Sequence, residues 1–328
     1  MREITVNKND SGQRLDKFLT KCIKGLPVSL MYKYLRKKRI KLNGHRADGA
    51  DMLSEGDVIT LYIPDEFADE KRGTEENFLS KPVLSIVYED SNIILLSKKP
   101  GQLVHDGDGD DGGNTLIRHL KSYLYLKGEY DPEKENSFAP SLCNRIDRNT
   151  GGIVIAAKNA ETLRYVNEAI KENATDKRYL CAVHGRPCKD NAVLEAHLFK
   201  NTKTKTVRVS DTPTRGSKPI KTGYKVIDYN AKLDLSLIEV RLYTGRTHQI
   251  RAHMAYLGYP LLGEGKYGVN KDDRRLFYKH QALYSYKLTF KEKEGVLSYL
   301  CDRTFCADDA DIRFLEFFRK EKYGSLFK

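Results

Sequence analysis

Asp147 leads the residues of this chain that could do chemistry. It sits in Asn144-Arg145-Ile146-Asp147-Arg148-Asn149-Thr150-Gly151-Gly152, a polar, glycine-rich turn that runs straight into the apolar segment Ile153-Val154-Ile155. Such a turn can hold a carboxylate against a substrate. An aspartate in a loop also commonly accepts hydrogen bonds from the turn backbone, and local pattern alone favours that second role. Another candidate lies between Leu242 and His253. This stretch reads as the end of a strand, a Thr244-Gly245 turn, and Arg246 at the start of a helix whose apolar side is Ile250, Met254 and Leu257. Free N–H groups, the positive end of the helix dipole and a guanidinium together suit a phosphate or a carboxylate. A capped structural helix would carry the same signals.

Basic clusters suggest the partner. Between Lys200 and Lys225 there are eight Lys or Arg residues and one acid, Asp211, interleaved with Thr, Pro and Gly in a hairpin or loop. Lys203, Lys205 and Arg208 are its candidate phosphate contacts. Val28 to Ala47 holds no acid at all, and Lys33, Arg36, Lys37, Lys38 and Arg39 crowd one side of a helical pattern there. Over the whole chain, 57 Lys and Arg against 45 Asp and Glu leave a net charge of +12, which favours a polyanion such as nucleic acid or an acidic membrane face. With two separate clusters, RNA or DNA gains weight over a merely solvated surface. The chain has no Trp, so base stacking would fall to Tyr, Phe or Arg.

Other chemistries fail on spacing. Asp106, Asp108 and Asp110 have the spacing of a calcium loop, but Asp111 stands where Gly belongs and Ile117 where Glu belongs. The six cysteines form no C-x-x-C pair, and His248 and His253 are five apart and would leave a helix on different sides, so no metal site is expected. The glycine motifs of dinucleotide sites, NTP-binding loops and serine hydrolases are missing, which leaves an enzyme without a cofactor or no enzyme.

The elements that must position these residues fall into two regions. Leu15, Phe18, Leu19, Cys22 and Ile23 recur at helical spacing, Gly25 and Pro27 end that helix, and Ser29 can cap a second with Leu30, Met31, Tyr34 and Leu35 on its apolar face. Ile40-Lys41-Leu42, an Asn43-Gly44 turn and Val58 to Ile63 then predict a small sheet. Residues 1–70 form one domain on this reading, 71–84 a polar linker, and 85–328 a second domain. In the second, Ile93 to Leu96, Ile153 to Ala157, Tyr179 to Val183 and Leu237 to Tyr243 read as strands, and Asn159 to Lys171 and Thr247 to Leu257 as helices, giving an α+β or mixed fold. No apolar run approaches the roughly 18 residues of a membrane helix, and Met1 to Lys8 lacks a signal-peptide core, so a cytoplasmic location is expected. Nothing demands more than a monomer.

Asn144 to Lys158, Lys177 to Gly185 and Leu242 to Gly268 together resemble the signature segments of the RluA family of pseudouridine synthases, in order and spacing, and Lys99-Pro100-Gly101 with Val104-His105 resembles the opening segment. Thr244-Gly245-Arg246-Thr247-His248-Gln249-Ile250-Arg251 is the most specific run. Residues 14 to 63 are similar to an S4 RNA-binding domain, in Arg14-Leu15-Asp16 and Gly56-Asp57, and with Pro27 to Tyr32 the combination resembles the branch acting on large-subunit ribosomal RNA. The resemblance implies a mixed, largely antiparallel sheet with flanking helices and a cleft for RNA, an N-terminal α/β S4 domain, and structured RNA as partner. It implies Asp147 as the essential aspartate, Arg246 as the arginine paired with it, Tyr179 against the target base, Arg145 filling the gap left by a flipped nucleotide, Ile250 in the pocket wall and Arg251 among the RNA contacts. Asn144, Ile146, Gly151 and Glu264 depart from the residues usual in the family at those positions.

The implied reaction breaks the glycosidic bond of a uridine and rejoins the base through C5, after the nucleotide has been extruded from its stack. An ionised Asp147 would either attack the ribose C1′ or take a proton from the sugar. Two other readings fit the composition: a noncatalytic ribosome-binding protein, and an RNA methyltransferase, which lacks a recognisable site for its methyl donor.

Overall fold

Asn43 and Gly44 carry φ of 51° and 77° in the computed structural model of the chain, which describes residues 1–64, 67, 78–105, 114–268, 273 and 275–327. Two consecutive positive φ angles make the tight hairpin that Asn-Gly favours. The turn joins β2 (Ile40–Leu42) to β3 (His45–Arg46), and with β1 (Arg2–Thr5) and β4 (Val58–Leu61) these form an antiparallel sheet in the order β1-β4-β2-β3. Helices α1 (Leu15–Cys22) and α2 (Val28–Arg36) bury Leu15, Phe18, Leu19, Met31 and Leu35 in one core with Ile40, Ile59 and Leu61. Ser29 does not cap α2 as expected. Pro27, with φ of −58°, is already set for helix entry and occupies the cap position, so α2 begins one residue before Ser29.

Two compact units make up the chain. One comprises Met1–Val83, Ile117–Ser141 and Ala157–Arg164; the other comprises Leu84–Leu116, Leu142–Ala156 and Tyr165–Lys328. Residues 71–77 of the expected linker and the acidic loop Asp106 to Gly113 lie outside the described residues. In the first unit Asp10 is fully buried and accepts from Ser137 Oγ at 2.6 Å and Asn136 Nδ2 at 2.7 Å, which ties the chain start to a segment more than a hundred residues later.

The second unit is built on an 11-stranded sheet, with the path β11-β10-β12-β13-β9-β14-β8-β6-β5. Its strands are β5 (Ile86–Glu89), β6 (Ile93–Lys98), β7 (Ser141–Leu142), β8 (Gly151–Ala157), β9 (Thr175–His184), β10 (Asn191–Asn201), β11 (Thr206–Ser210), β12 (Lys218–Asn230), β13 (Leu235–Leu242), β14 (Leu283–Phe290) and β15 (Thr304–Cys306). All pairs from β11 to β14 are antiparallel, while β8 runs parallel to β14. This is a mixed, largely antiparallel α+β fold. The unbroken apolar runs of β6 and β8 are buried throughout, as strands covered on both faces must be. The basic stretch after Lys200 resolves into the β10–β11 hairpin and the start of β12.

Helix α3 (Leu116–Leu126) falls almost wholly in the first unit, α4 (Ala160–Lys171) is divided between the two units, and α5 (Gln249–Tyr256) belongs to the second. No helix among the described residues is long and apolar enough to cross a membrane. The helix expected from Thr247 starts two residues later. His248 takes a left-handed φ of 53°, and the Gln249 side chain turns back to accept from Arg246 N at 3.1 Å and Thr244 Oγ1 at 2.9 Å.

Candidate active site

The turn that carries Asp147 is clamped from behind. Thr150 N donates to Asp147 O at 3.0 Å, Gly101 N to Arg148 O at 2.9 Å, and Asn144 Oδ1 accepts from Ile155 N at 2.7 Å. Beneath it the fully buried Lys98 Nζ donates to the carbonyls of Lys99, Gln102 and Arg148 at 3.0, 2.9 and 2.8 Å. Three acceptors take all three N–H bonds of an ammonium. Burial pulls this lysine down to about 7, against the attraction of the Asp147 charge. Gly151 closes the turn where any side chain would force a shift, because a Cβ there would lie 2.3 Å from Tyr284 Cε2.

The arginine paired with Asp147 is Arg251, which corrects the expectation that Arg246 would fill that place. Arg251 Nη1 donates to Asp147 Oδ2 at 2.8 Å, while Nε and Nη2 make a two-pronged bond to Glu264 at 2.8 and 2.7 Å. The reason is geometric. Arg246 precedes α5 in the turn and is exposed, whereas Arg251 lies in the first turn of the helix on the side that faces Asp147. Among the described residues no ion pair joins Arg246 to Asp147. Arg251, expected among the RNA contacts, lines the cleft but is 6% exposed, with its fork on two carboxylates. Burial opposes the Arg251 charge, but Glu264 and then Asp147 hold it protonated, above its ordinary value. Glu264 is itself held below its ordinary value: burial works to raise it, and Arg251 outweighs that.

His248 completes the group. Its Nε2 lies 3.7 Å from Asp147 Oδ2 and its Nδ1 is 2.5 Å from Tyr267 Oη. Burial lowers its pKa against the pull of Asp147, so the ring is neutral near pH 7 and the phenol–imidazole bond is uncharged.

Asp147 lies in a cleft of about 1140 Å³ lined also by Tyr179, Ile250, Cys143, Leu283 and Gln281. Its lining includes Arg145, Arg148, Lys171, Lys177, Lys200, Arg246, Arg251 and Lys266, and among the described residues Asp147 is its one carboxylate. A recess with so many cations and one acid concentrates a polyanion around that acid. Tyr179 is 7% exposed; burial pushes its phenol up to about 12, with the Asp147 charge adding and the Ser285 hydrogen bond opposing. Ile250 is buried in the wall and Arg145 is exposed at the opening. Lys203, Lys205 and Arg208 are exposed on the β10–β11 hairpin, and Lys33, Arg36, Lys37, Lys38 and Arg39 are exposed on and just after α2 in the first unit. No group of three or more His, Cys, Asp or Glu among the described residues is placed to hold a metal ion.

Sequence reasoning missed Glu264, Lys98, His248 and Lys177 as parts of this site. Lys177 had a signal, since it stands two residues before Tyr179 in β9 and so shares its face. Burial lowers it to about 8. Glu264 stood out only as a departure within the segment Leu242 to Gly268, and only the folded chain brings it against Arg251.

A mixed sheet that presents a guanidinium-held carboxylate in a cationic cleft defines an enzyme acting on a polyanion. Residues 92–256 match the RNA pseudouridylate synthase family, and the chain belongs to that family. Its reaction is the isomerisation of uridine to pseudouridine in RNA. The chain is 33% identical over 310 residues to an uncharacterized RNA pseudouridine synthase of Mycoplasma capricolum, covering 92% of this chain and 95% of that protein. It is 31% identical over 276 residues to the ribosomal large subunit pseudouridine synthase C of Escherichia coli K12, covering 83% and 82%. The solved structure of human RNA pseudouridylate synthase domain containing 4 shares the fold, with a TM-score of 0.55 at 18% identity over 71% of this chain and 92% of that one.

Proposed function

We propose that this protein isomerises specific uridines of large-subunit ribosomal RNA, with Asp147 as the catalytic carboxylate and residues 1–70 acting as an S4-like RNA-binding domain, joined by residues 71–84 to a catalytic domain of residues 85–328. The observation that carries the reading is the 2.8 Å bond from Arg251 to Asp147 inside the cationic cleft. It keeps one oxygen of the carboxylate oriented and leaves a quarter of the side chain open to a ligand. The likeness to the large-subunit synthase C of Escherichia coli supports the RNA class.

A uridine turned out of its stack would place its ribose against Asp147 and its base against Tyr179. Ile250 and Leu283 exclude water from the detached uracil while it turns, and Tyr179, protonated at neutral pH, serves as platform and hydrogen-bond donor. Arg145 fills the place the base has left. Arg246, exposed at the opening, contacts the RNA backbone, as do Lys203, Lys205 and Arg208 and the basic face of α2. Stacking and phosphate contacts offset the few kcal/mol that flipping costs. The enzyme works as a monomer in the cytoplasm and without a cofactor.

The test is tritium release from C5-labelled uridine in large-subunit ribosomal RNA transcripts, with no cofactor added. Wild-type protein should release tritium, and Asp147→Asn should fold and bind the same RNA but release none. Turnover by the variant within tenfold of wild type would remove Asp147 from the chemistry.

A further inference from the structure

A second cavity, of about 370 Å³, opens beside the active-site cleft and shares Asn149, Gln281 and Leu283 with it. Asn149 stands two residues from Asp147, so the two recesses lie on either side of one turn. The size falls within the range of about 300–1,000 Å³ usual for small-molecule sites. Its buried lining is Leu283, Tyr284, Phe314 and the polar Gln281, and its exposed lining carries Phe277, Lys279, His280, Asp311 and Arg313.

Phe277 is the feature that the fold does not account for. Its side chain is 77% exposed, and its backbone sits in the left-handed region with φ of 54°, where a bulky residue is strained. Among the described residues its ring joins no aromatic pair. Arg313 lies over the Tyr278 ring, 5.9 Å from its centroid, and reaches Glu316 only at 3.7 Å, so its charge still faces solvent beside the cavity. Asp311, the one acid of the lining among the described residues, accepts from Ser97 Oγ at 3.2 Å. A recess of Leu283, Tyr284 and Phe314 with the amide of Gln281, an exposed ring and two cations match a flat base with polar edges attached to a phosphate. An apolar peptide would make no use of the cations, and the recess shares Asn149, Gln281 and Leu283 with the cleft proposed to receive RNA.

We infer that this cavity takes one unpaired nucleobase of the substrate RNA, near the target uridine along the strand, with Phe277 as its stacking platform and Lys279 and Arg313 at the adjoining phosphate. Holding a second unstacked base fixes the register of the strand, so the subsite selects which uridine reaches Asp147.

The inference rests on the RNA reading above, and the experiment keeps the two apart. The probe is the shortest large-subunit ribosomal RNA transcript from which wild-type protein releases tritium, which tests that reading first. On that transcript Phe277→Ala should raise KM at least about fivefold with kcat within about twofold, while its thermal unfolding stays that of wild type. Because the chain has no Trp, Phe277→Trp places a single indole at the site. Its fluorescence should be quenched by the transcript, and quenching should be lost when one particular nucleotide near the target is made abasic. An unchanged KM for Phe277→Ala would overturn the subsite, as would indole emission that ignores the RNA or falls equally whichever nucleotide is abasic.

Discussion

Arg251 bridges two carboxylates: one amino group donates to Asp147 Oδ2 at 2.8 Å while the other edge of its fork is locked on the buried Glu264. Glu264 fixes the plane of the guanidinium, and the guanidinium then fixes Asp147. A planar fork with five donors can serve both acids at once, which a lysine cannot.

Arg251→Lys should therefore lower kcat by about a hundredfold or more, since one ammonium cannot hold both carboxylates in register. Arg246→Ala, at the exposed turn, should leave kcat within a few-fold and raise KM. Steady-state tritium release with both variants checks the pair, and the opposite pattern would restore Arg246 as the partner of Asp147.

Glu264→Gln leaves Arg251 partly uncompensated in a buried setting and should cost about 3 kcal/mol of stability. The pH dependence follows from a folded pKa held below the ordinary glutamate value of about 4.5. The contribution of Glu264 is present above that value and is lost as pH falls through the lower folded one, since there the unfolded state binds protons first. Thermal unfolding of wild type and variant should differ most near neutral pH and converge in acid. A constant gap down to pH 3 would contradict this.

Tyr179 titrates near 12 in the folded chain, so its phenol stays protonated across the working range. Tyr179→Phe should keep RNA affinity and lower the single-turnover rate at least tenfold, and the wild-type rate should show no alkaline limb from this group below about pH 10. For an acid whose pKa is raised by folding, stability falls as pH climbs from 10 to 12, and the variant should lack that part of the decline.

Gly151→Ser puts a Cβ into the Tyr284 ring and should destabilise the protein by about 1–3 kcal/mol, the usual cost of overpacking. Adding Tyr284→Ala to Gly151→Ser should cost less than the sum of the two single changes. Denaturant unfolding of the four proteins measures this, and strict additivity would deny the contact.

Replacing Lys33, Arg36 and Lys37 together by Ala should weaken RNA binding without altering kcat, and should flatten the dependence of affinity on salt, because each lost phosphate contact releases fewer counterions. Filter-binding at several ionic strengths reads both effects. An unchanged slope would separate α2 from RNA recognition.

The chain by itself determined a good deal of this. Local pattern placed the Asn43-Gly44 hairpin, α1 and α2, and the strands around Ile93, Ile153, Tyr179 and Leu237, since each depends on residues close in sequence. It brought out the turn around Asp147 and the poverty of acids around Lys33. It did not find β14, whose Leu283–Phe290 run lies at the centre of the sheet, nor the true start of α5, because a left-handed His248 and a returning Gln249 side chain are set by tertiary contacts. Which arginine meets Asp147 was also beyond it. Arg246 and Arg251 stand in the same short run, and a helix that starts only at Gln249 leaves one toward solvent and turns the other toward the carboxylate. Only the fold could bring Glu264 to Arg251, since their bond depends on where two separate backbone segments come to rest.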